Sequence, residues 1–388
     1  MRILFTGGGT GGHFFPVLAV IRETRRIAEE ERILDLELYY MGSAPLVAQL
    51  LRDEGVRTIA IPSGKMRRYF SLWNIIDAFR TMGGVLRGTW NIFLLLPDVI
   101  FSKGGYDAFP AMVAARILGI PVIIHESDAV PGRVNTFAGR FARRIAVSFA
   151  GASDYFPPEK TALVGVPVRK RILGGSLAGA RENFSVFSLL PVIGIIGGSQ
   201  GAQKINETVL GVLKELTDEF EVVHQTGTKG LEETEEQARV ILESAHHERY
   251  HAVGFLDEQG MRDFYLIATL IISRAGAGSI FEIAAWGRPA ILIPLKDAAQ
   301  DHQRANAYEY AGSGGAIVIE EENITPHLML SEIKKAMANP DLLHRMATGA
   351  QKFSRINAAE VIAREILKIG MHGVVMPSEH DMAELRRE

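Results

Sequence analysis

Two glycine strings, a histidine and a helix-borne carboxylate are the groups in this chain whose types and spacing suit chemistry. "TGGGTGGHFFP" begins at Thr6, straight after the apolar run Ile3-Leu4-Phe5. Gly7, Gly9 and Gly12 satisfy G-x-G-x-x-G, the dinucleotide fingerprint. A dehydrogenase also needs an acid at the end of the second strand, roughly 20 residues on, to hold the ribose. Here that strand ends Tyr39-Tyr40-Met41-Gly42-Ser43, and Asp35 and Glu37 lie at its start, which argues against a nicotinamide. A tight turn packing helix on strand accounts for Gly7 and Gly9. It accounts less well for the whole string, because each glycine costs about 1 kcal/mol of chain entropy against alanine. A phosphate approaching the amides of a helix start explains so bare a loop better. His13 sits at that entrance, either as a plain helix-start residue or as a base or phosphate donor. A positive helix end lowers its proton affinity, which suits a neutral base near pH 7.

The second half carries a denser pattern. In "SRAGAGSIFEIAAWGRPAILIPL", from Ser273, a strand ends at Ser273-Arg274 and Gly276 to Gly278 open a helix, with Ser279 near its cap. Glu282 follows, predicted on the first helical turn. A diphosphate on the loop amides and a carboxylate on the ribose hydroxyls would together hold a nucleoside diphosphate. Alone, Glu282 reads equally as an acid favoured by the helix dipole. In "DAAQDHQRANA", Asp301, Gln303 and Asn306 fall at another helix start, where side-chain amides suit sugar hydroxyls or simply face water.

These groups need elements to position them. Apolar runs of strand length alternate with helical patterns: Ile3-Phe5, Leu36-Met41, Val99-Ser102, Val122-His125, Ile145-Ser148 and Ala162-Val164, with a helix over Val17 to Glu30. After a weakly patterned stretch, Gly174 to Pro191, the rhythm restarts at Val192-Ile196 and "GGSQGAQKIN". Strands follow at Val222-Gln225, Ala252-Gly254, Leu270-Ser273, Ala290-Pro294 and Ala316-Ile319. The pattern predicts an α/β protein of two doubly wound, Rossmann-like domains facing a cleft. The expected boundaries are 1–165 for an N-terminal acceptor- and membrane-binding domain and 166–350 for a C-terminal donor domain. Residues 351–370 are expected to form a helix that packs on either domain, and 371–388 a polar tail.

The bulk numbers agree with a folded chain. Its 388 residues are 47% hydrophobic and 22% charged, with a net charge of −3 that offers nucleic acid no basic field. With no cysteine there are no disulfides or thiolate metal sites. No signal peptide is expected at the start, and Pro97 and Asp98 break the longest membrane-span candidate.

"GGGTGGH", "KGGY" at Lys103, "HE" at His125, "GVPVR" at Gly165, "GGSQGA" at Gly197, "RAGAGSIFE" at Arg274 and "DHQRANA" at Asp301 occur in that order. Together, over about residues 1–370, they resemble the peptidoglycan N-acetylglucosaminyltransferases that convert lipid I to lipid II. The set is specific; no single motif is. The resemblance implies the GT-B fold and an inverting transfer from UDP-N-acetylglucosamine to the 4-hydroxyl of undecaprenyl-linked N-acetylmuramic acid. It implies donor contacts at Arg169, Ser199, Leu256, Arg274, Ala277, Gly278, Ser279, Ile280, Phe281, Glu282, Gln303 and Asn306. Thr10, Gly11, Gly12 and His13 would line the cleft from the acceptor side, the first three also meeting the donor, and Gly104, Gly105 and Tyr106 would meet the acceptor pyrophosphate. Two positions depart from the family pattern: Asp128 replaces an asparagine at a donor-sugar contact, and Val166 replaces another. Asp128 can still accept a hydrogen bond there but cannot donate one.

An inverting transfer is a single in-line displacement that needs a base and stabilisation of the departing diphosphate. His13 leads as base, with Glu126 second and Asp107 and Asp128 also in reach of the role. No Asp-x-Asp pair suggests a metal, so helix N-termini with Arg274 or Arg169 are expected to serve the diphosphate, and no cofactor is expected beyond the substrates. From Lys65 to Trp90, Arg67, Arg68, Phe70, Trp73, Ile76, Phe79 and Arg80 mix cations with aromatic and aliphatic groups at helical spacing. They read either as a core-packing helix or as a patch resting on the anionic inner membrane, which would place the protein peripherally on the cytoplasmic face. Cell-wall synthesis proteins are the other partners the resemblance suggests. The competing readings are another lipid-directed UDP-sugar transferase, such as a diacylglycerol glycosyltransferase, a non-catalytic nucleotide-sugar-binding protein, and lastly a dehydrogenase.

Overall fold

A computed structural model describes residues 1–8, 11–42, 48–61, 73–197 and 202–373; of 11–13, 48, 73–80, 244–245 and 372–373 it describes the backbone alone. The chain divides into two compact units: Met1–Ser127 with Pro131–Pro167 and Asn357–Glu388, and Asp128–Val130 with Val168–Ile356.

The first unit holds a parallel sheet of β1 (Arg2–Thr6), β2 (Glu37–Gly42), β3 (Arg57–Ala60), β4 (Val99–Ser102), β5 (Val122–Glu126), β6 (Arg144–Val147) and β7 (Thr161–Leu163). Their spatial order is β3-β2-β1-β4-β5-β6-β7. The second unit repeats the plan with β8 (Val192–Ile196), β9 (Glu221–Gln225), β10 (Tyr250–Val253), β11 (Ala268–Ser273), β12 (Ala290–Leu292) and β13 (Ala316–Val318), in the order β10-β9-β8-β11-β12-β13. Both are doubly wound Rossmann-like sheets. Each of the predicted strands has its counterpart. The sequence pattern missed β3, whose four residues are largely exposed beside β2 and carry no apolar run.

Side chains along a strand alternate between faces, and a parallel sheet covered by helices on both sides must be apolar at nearly every position. Ile3 and Phe5 pack with Val17, Leu18 and Ile21 of the helix Gly11–Glu30 and with Ile362, Ile366 and Leu367 of the helix Ala358–Gly373. Leu4, Ile100 and Ile124 face the other way, onto Ile92, Met112 and Ala115. The first helix starts at Gly11 rather than at Val17, so the end of the glycine string is already helical.

The last helix is tied to the first unit through Arg364 to Glu31 at 3.0 Å and Glu365 to Arg144 at 2.9 Å. Residues 351–353 complete the preceding helix, Pro340–Phe353, in the second unit. The helix Ala358–Gly373 also runs three residues into the predicted tail.

A buried polar chain fastens the opening helix of the second sheet. His224 on β9 lies 3.1 Å from Asn206 Oδ1 through Nε2 and 2.9 Å from the Tyr250 hydroxyl through Nδ1. Asn206, on the helix Gln203–Leu210, donates through Nδ2 to Thr226 O at 3.1 Å. Its Oδ1 therefore accepts from Nε2–H of His224, and Nδ1 accepts from Tyr250.

Burial pushes the His224 pKa down to about 3. Unfolded, a histidine titrates near ~6.5. Between those values the unfolded chain binds a proton that the folded chain refuses. Stability from this group is therefore lost as pH falls below about 6.5, at ~1.4 kcal/mol per pH unit. Urea unfolding should register about 2 kcal/mol of loss between pH 7 and 5 from this source. In His224→Gln the same titration should be flatter by that amount; an unchanged slope would remove His224 as its origin.

Candidate functional site

Both sheets reverse their winding at one strand pair, β1/β4 in the first and β8/β11 in the second. Connections leaving such a pair go to opposite faces, and the crevice beyond its carboxyl ends is where ligands of doubly wound sheets bind. All four glycine motifs follow these four strands: Gly7 onward after β1, Gly104-Gly105 after β4, Gly197 onward after β8 and Gly276 to Gly278 after β11.

In the first unit the two loops are sewn together. Lys103 N donates to Thr6 O at 2.9 Å, and the Tyr40 hydroxyl donates to Gly7 O. Burial, and then the Asp107 charge, hold the Tyr40 phenol well above its usual range, so it stays a donor. Gly7 has φ +139°, and a Cβ there would lie 2.6 Å from Lys103 Cβ, so only glycine fits. Gly104 and Gly105 have φ +80° and +81°, and a Cβ on Gly104 would strike the Asn135 amide.

Asn135 in turn donates to His125 O at 3.1 Å and to Glu126 Oε2 at 2.9 Å. The same Oε2 accepts from Gly132 N at 3.0 Å, so Glu126 stands fixed at the end of β5. His125 is buried against Gly165 O and Ser148 Oγ, at 2.9 and 3.1 Å. Tyr106 follows in a short 3-10 turn, half-buried, its phenol raised by burial and by Asp107. His13 is the third residue of the helix Gly11–Glu30, in the turn whose N–H groups have no intrahelical partner. Glu37, the misplaced acid of the dehydrogenase reading, is paired with Arg2 and Arg57 at 3.1 and 3.0 Å.

Arg169, Leu256, Arg274, Ala277 to Glu282, Gln303 and Asn306, and with them Asp128, belong to the second unit. Gly197 is required by packing, since a Cβ would meet Ala202 N at 2.9 Å. Gly276 and Gly278 are different: a Cβ at either would meet nothing within 4 Å, and neither has positive φ. Neither the fold's packing nor its backbone demands glycine there, so the bare surface leaves room for something else.

The helix they open is Ala277–Ala285, with Gly276 as its N-cap and no side-chain cap from Ser279. Ala277, Ile280 and Phe281 face inward. Glu282 is the sixth residue, on the second turn, and not on the first as predicted. A dipole contact in the first turn is therefore not what holds it. Arg169 Nη2 donates to its Oε1 at 3.0 Å and the Tyr265 hydroxyl to its Oε2 at 3.0 Å. Glu258 lies 3.8 Å from Arg169 Nη1.

Arg274 is paired with Glu321 and donates to Ile293 O at 3.3 Å. Leu256, buried, precedes the Asp257 cap of the helix Glu258–Ile267. Gln300 and Asp301 are consecutive non-glycine residues with φ of +56° and +55°, a strained entry to the helix His302–Gly312. Gln303 Oε1 accepts from Leu295 N at 3.0 Å. Asn306, fully buried, donates to Asp128 Oδ1 at 2.9 Å and to Ala275 O at 3.3 Å, and accepts from Ala129 N at 2.8 Å.

Thr10, Ser199, Arg67, Arg68 and Phe70 lie outside the described residues, and Gly11, Gly12, His13, Trp73, Ile76, Phe79 and Arg80 are placed by backbone alone. Sequence reasoning missed Tyr265, Asn135 and Asn206. Asn206 stood inside the quoted "GGSQGAQKIN"; the other two carry no spacing signal. Among the described residues, no group of three or more His, Asp or Glu side chains could hold a metal ion.

Residues 3–147 match the glycosyltransferase family 28 N-terminal domain and residues 192–362 the family 28 C-terminal domain. The UDP-N-acetylglucosamine–N-acetylmuramyl-(pentapeptide) pyrophosphoryl-undecaprenol N-acetylglucosamine transferase 2 of Bacillus cereus is 35% identical over 367 residues, covering 94% of this chain and 99% of that one. The transferase of Legionella pneumophila strain Paris is 34% identical over 342 residues, 87% of this chain and 90% of its own. The crystal structure of Acinetobacter baumannii MurG superposes with a TM-score of 0.71 at 28% identity, covering 95% of this chain and 99% of that one. A UDP-GlcNAc 2-epimerase from Neisseria meningitidis shares the fold, with a TM-score of 0.65 at 16% identity over 95% of this chain and 100% of its own. With both domain patterns matched in order, a Rossmann-like sheet under each, and identity of this level along nearly the whole chain, the protein belongs to glycosyltransferase family 28 and, within it, to the UDP-N-acetylglucosamine–N-acetylmuramyl-(pentapeptide) pyrophosphoryl-undecaprenol N-acetylglucosamine transferases.

Proposed function

We propose that this chain moves N-acetylglucosamine from UDP-N-acetylglucosamine to the 4-hydroxyl of the muramyl sugar of lipid I, giving lipid II with inversion at the anomeric carbon. The observation that carries this reading is membership of the transferase family over nearly the whole chain. The open surface over Gly276 and Gly278, beside a doubly held Glu282, gives it chemical content. The second unit takes the donor. Its diphosphate lies on the amides opening the helix Ala277–Ala285, where the helix dipole favours an anion. Glu282 accepts the ribose hydroxyls, Leu256 lies by the uracil, and Gln303 meets the sugar. Asn306 keeps Asp128 in place at that sugar.

The first unit takes the acceptor, with its pyrophosphate at the loops of Gly11-Gly12 and Gly104 to Tyr106. His13 takes the proton of the attacking hydroxyl as the C–O bond to the diphosphate breaks. Glu126 serves better as a positioning group than as a base, because its Oε2 already accepts two hydrogen bonds. The departing diphosphate is met by helix amides and Arg169. Donor and acceptor are both substrates, and no step calls on a resident cofactor.

No helix among the described residues is long and apolar enough to cross a membrane. The lipid acceptor is met at a surface. Along the helix Trp73–Leu95, Met82, Leu86, Trp90, Phe93 and Leu94 are exposed, a ridge recurring every three to four residues. We place this ridge on the anionic cytoplasmic face of the cell membrane.

UDP release from UDP-N-acetylglucosamine should require a short-chain lipid I analogue; release without acceptor, or with diacylglycerol instead, would redirect the acceptor assignment. In the same assay His13→Ala should lower kcat by ~100-fold or more with the donor KM nearly unchanged, and normal turnover would remove His13 as base. Glu282→Gln should instead raise the UDP dissociation constant by about tenfold or more, as expected when a charged hydrogen-bond acceptor is lost. On vesicles, the full chain should co-sediment with anionic more than with neutral lipid, and Leu86→Ser with Trp90→Ser should release it. Equal sedimentation of that double variant would exclude the ridge as the membrane contact.

A further inference from the structure

We infer that Tyr265 is a positioning residue of the donor site: its hydroxyl, acting opposite Arg169, sets the Glu282 carboxylate so that each oxygen keeps one acceptor direction for a ribose hydroxyl. This rests on the reading of Glu282 as the ribose contact. A carboxylate has two oxygens with about four acceptor directions between them. Arg169 Nη2 occupies one on Oε1 and the Tyr265 hydroxyl one on Oε2, each at 3.0 Å. What remains is one direction on each oxygen, which matches two vicinal hydroxyls. A free glutamate would have to give up side-chain rotations to present that face; here the protein has already fixed them.

Packing does not explain the hydroxyl. Tyr265 is fully buried in the helix Glu258–Ile267, its ring edge-on to Phe264 with centroids 5.6 Å apart. A phenylalanine would fill the same volume without bringing a polar atom that must be satisfied. Burial and the neighbouring Glu282 raise the phenol well above its usual range, so it is a donor at every working pH. Arg169 is itself anchored near its chain: Ile172 O, three residues on, accepts from Trp286 Nε1 at 2.9 Å, on the residue that ends the Glu282 helix. The clamp is thus built from three segments of one unit: the stretch at Arg169, the helix Glu258–Ile267 and the helix Ala277–Ala285.

The test compares dissociation constants of UDP, 2′-deoxy-UDP and 3′-deoxy-UDP for the full chain, Tyr265→Phe and Glu282→Gln, by titration calorimetry. The unsubstituted chain should prefer UDP over either deoxy analogue by about tenfold or more. Tyr265→Phe should shrink that preference by about three- to tenfold while its affinity for the deoxy analogues moves less than about twofold. Its KM for UDP-N-acetylglucosamine should rise with kcat nearly unchanged. A merely structural tyrosine would weaken all three ligands alike and leave the preference intact. If Tyr265→Phe keeps the full preference while Glu282→Gln loses it, the positioning role is overturned and the ribose contact stands. If the unsubstituted chain shows no preference, the ribose reading itself fails. Should Tyr265→Phe not fold, Tyr265→Met, which also lacks the donor, is put through the same comparison.

Discussion

Two neighbouring parallel strands whose connections leave for opposite faces cannot cover their own carboxyl ends. That constraint governs each half of this protein. At β1/β4 and at β8/β11 the backbone opens a crevice, and whatever follows those strands is presented there. The chain places glycine after all four. The bareness of the loops, the helix starts they feed and the residues gathered around them follow from where the winding of each sheet reverses.

The four glycine loops do not serve one purpose. Gly197 is glycine because the protein's own atoms leave no space for a Cβ. Gly7 and Gly104 are glycine for that reason and for their positive φ. Gly276 and Gly278 meet neither restriction. A position whose smallness nothing in the fold requires is the kind a ligand explains, and it stands two turns or less from a carboxylate held on both oxygens. In the same unit polar side chains hold one another or the backbone: Arg274 pairs with Glu321, Asn306 with Asp128 and Ala129 N, and Gln303 with Leu295 N. Such preorganisation lowers what binding must later order.

Asp128, where the resembled family pattern has an asparagine, finds its partner within its own unit. An asparagine there could donate as well as accept. The aspartate only accepts, and Asn306 supplies the donor at 2.9 Å. The same Asn306 amide caps Ala129 N, so the short segment Asp128–Val130 is held by one buried side chain. Val166, the second departure, is simply buried beside the glycine whose carbonyl faces His125.

Much of this was legible in the order of residues. Apolar runs at strand spacing, broken by glycine and followed by amphipathic stretches, determine two doubly wound sheets, because a strand buried on both faces and a helix buried on one have different periods. The string of motifs determined the family. What the sequence could not decide was set by contacts between residues far apart along the chain. Local periodicity has no view of Tyr265 meeting Glu282 across 17 residues, or Arg169 across 113. It placed Glu282 by the helix dipole, one turn too early, whereas the carboxylate is held by donors from two other segments. It also passed over β3, a short edge strand with three of its four residues exposed, whose pairing with β2 no side-chain period announces. Side-chain period is a property of one segment; hydrogen-bond geometry between segments exists only once the sheets have closed.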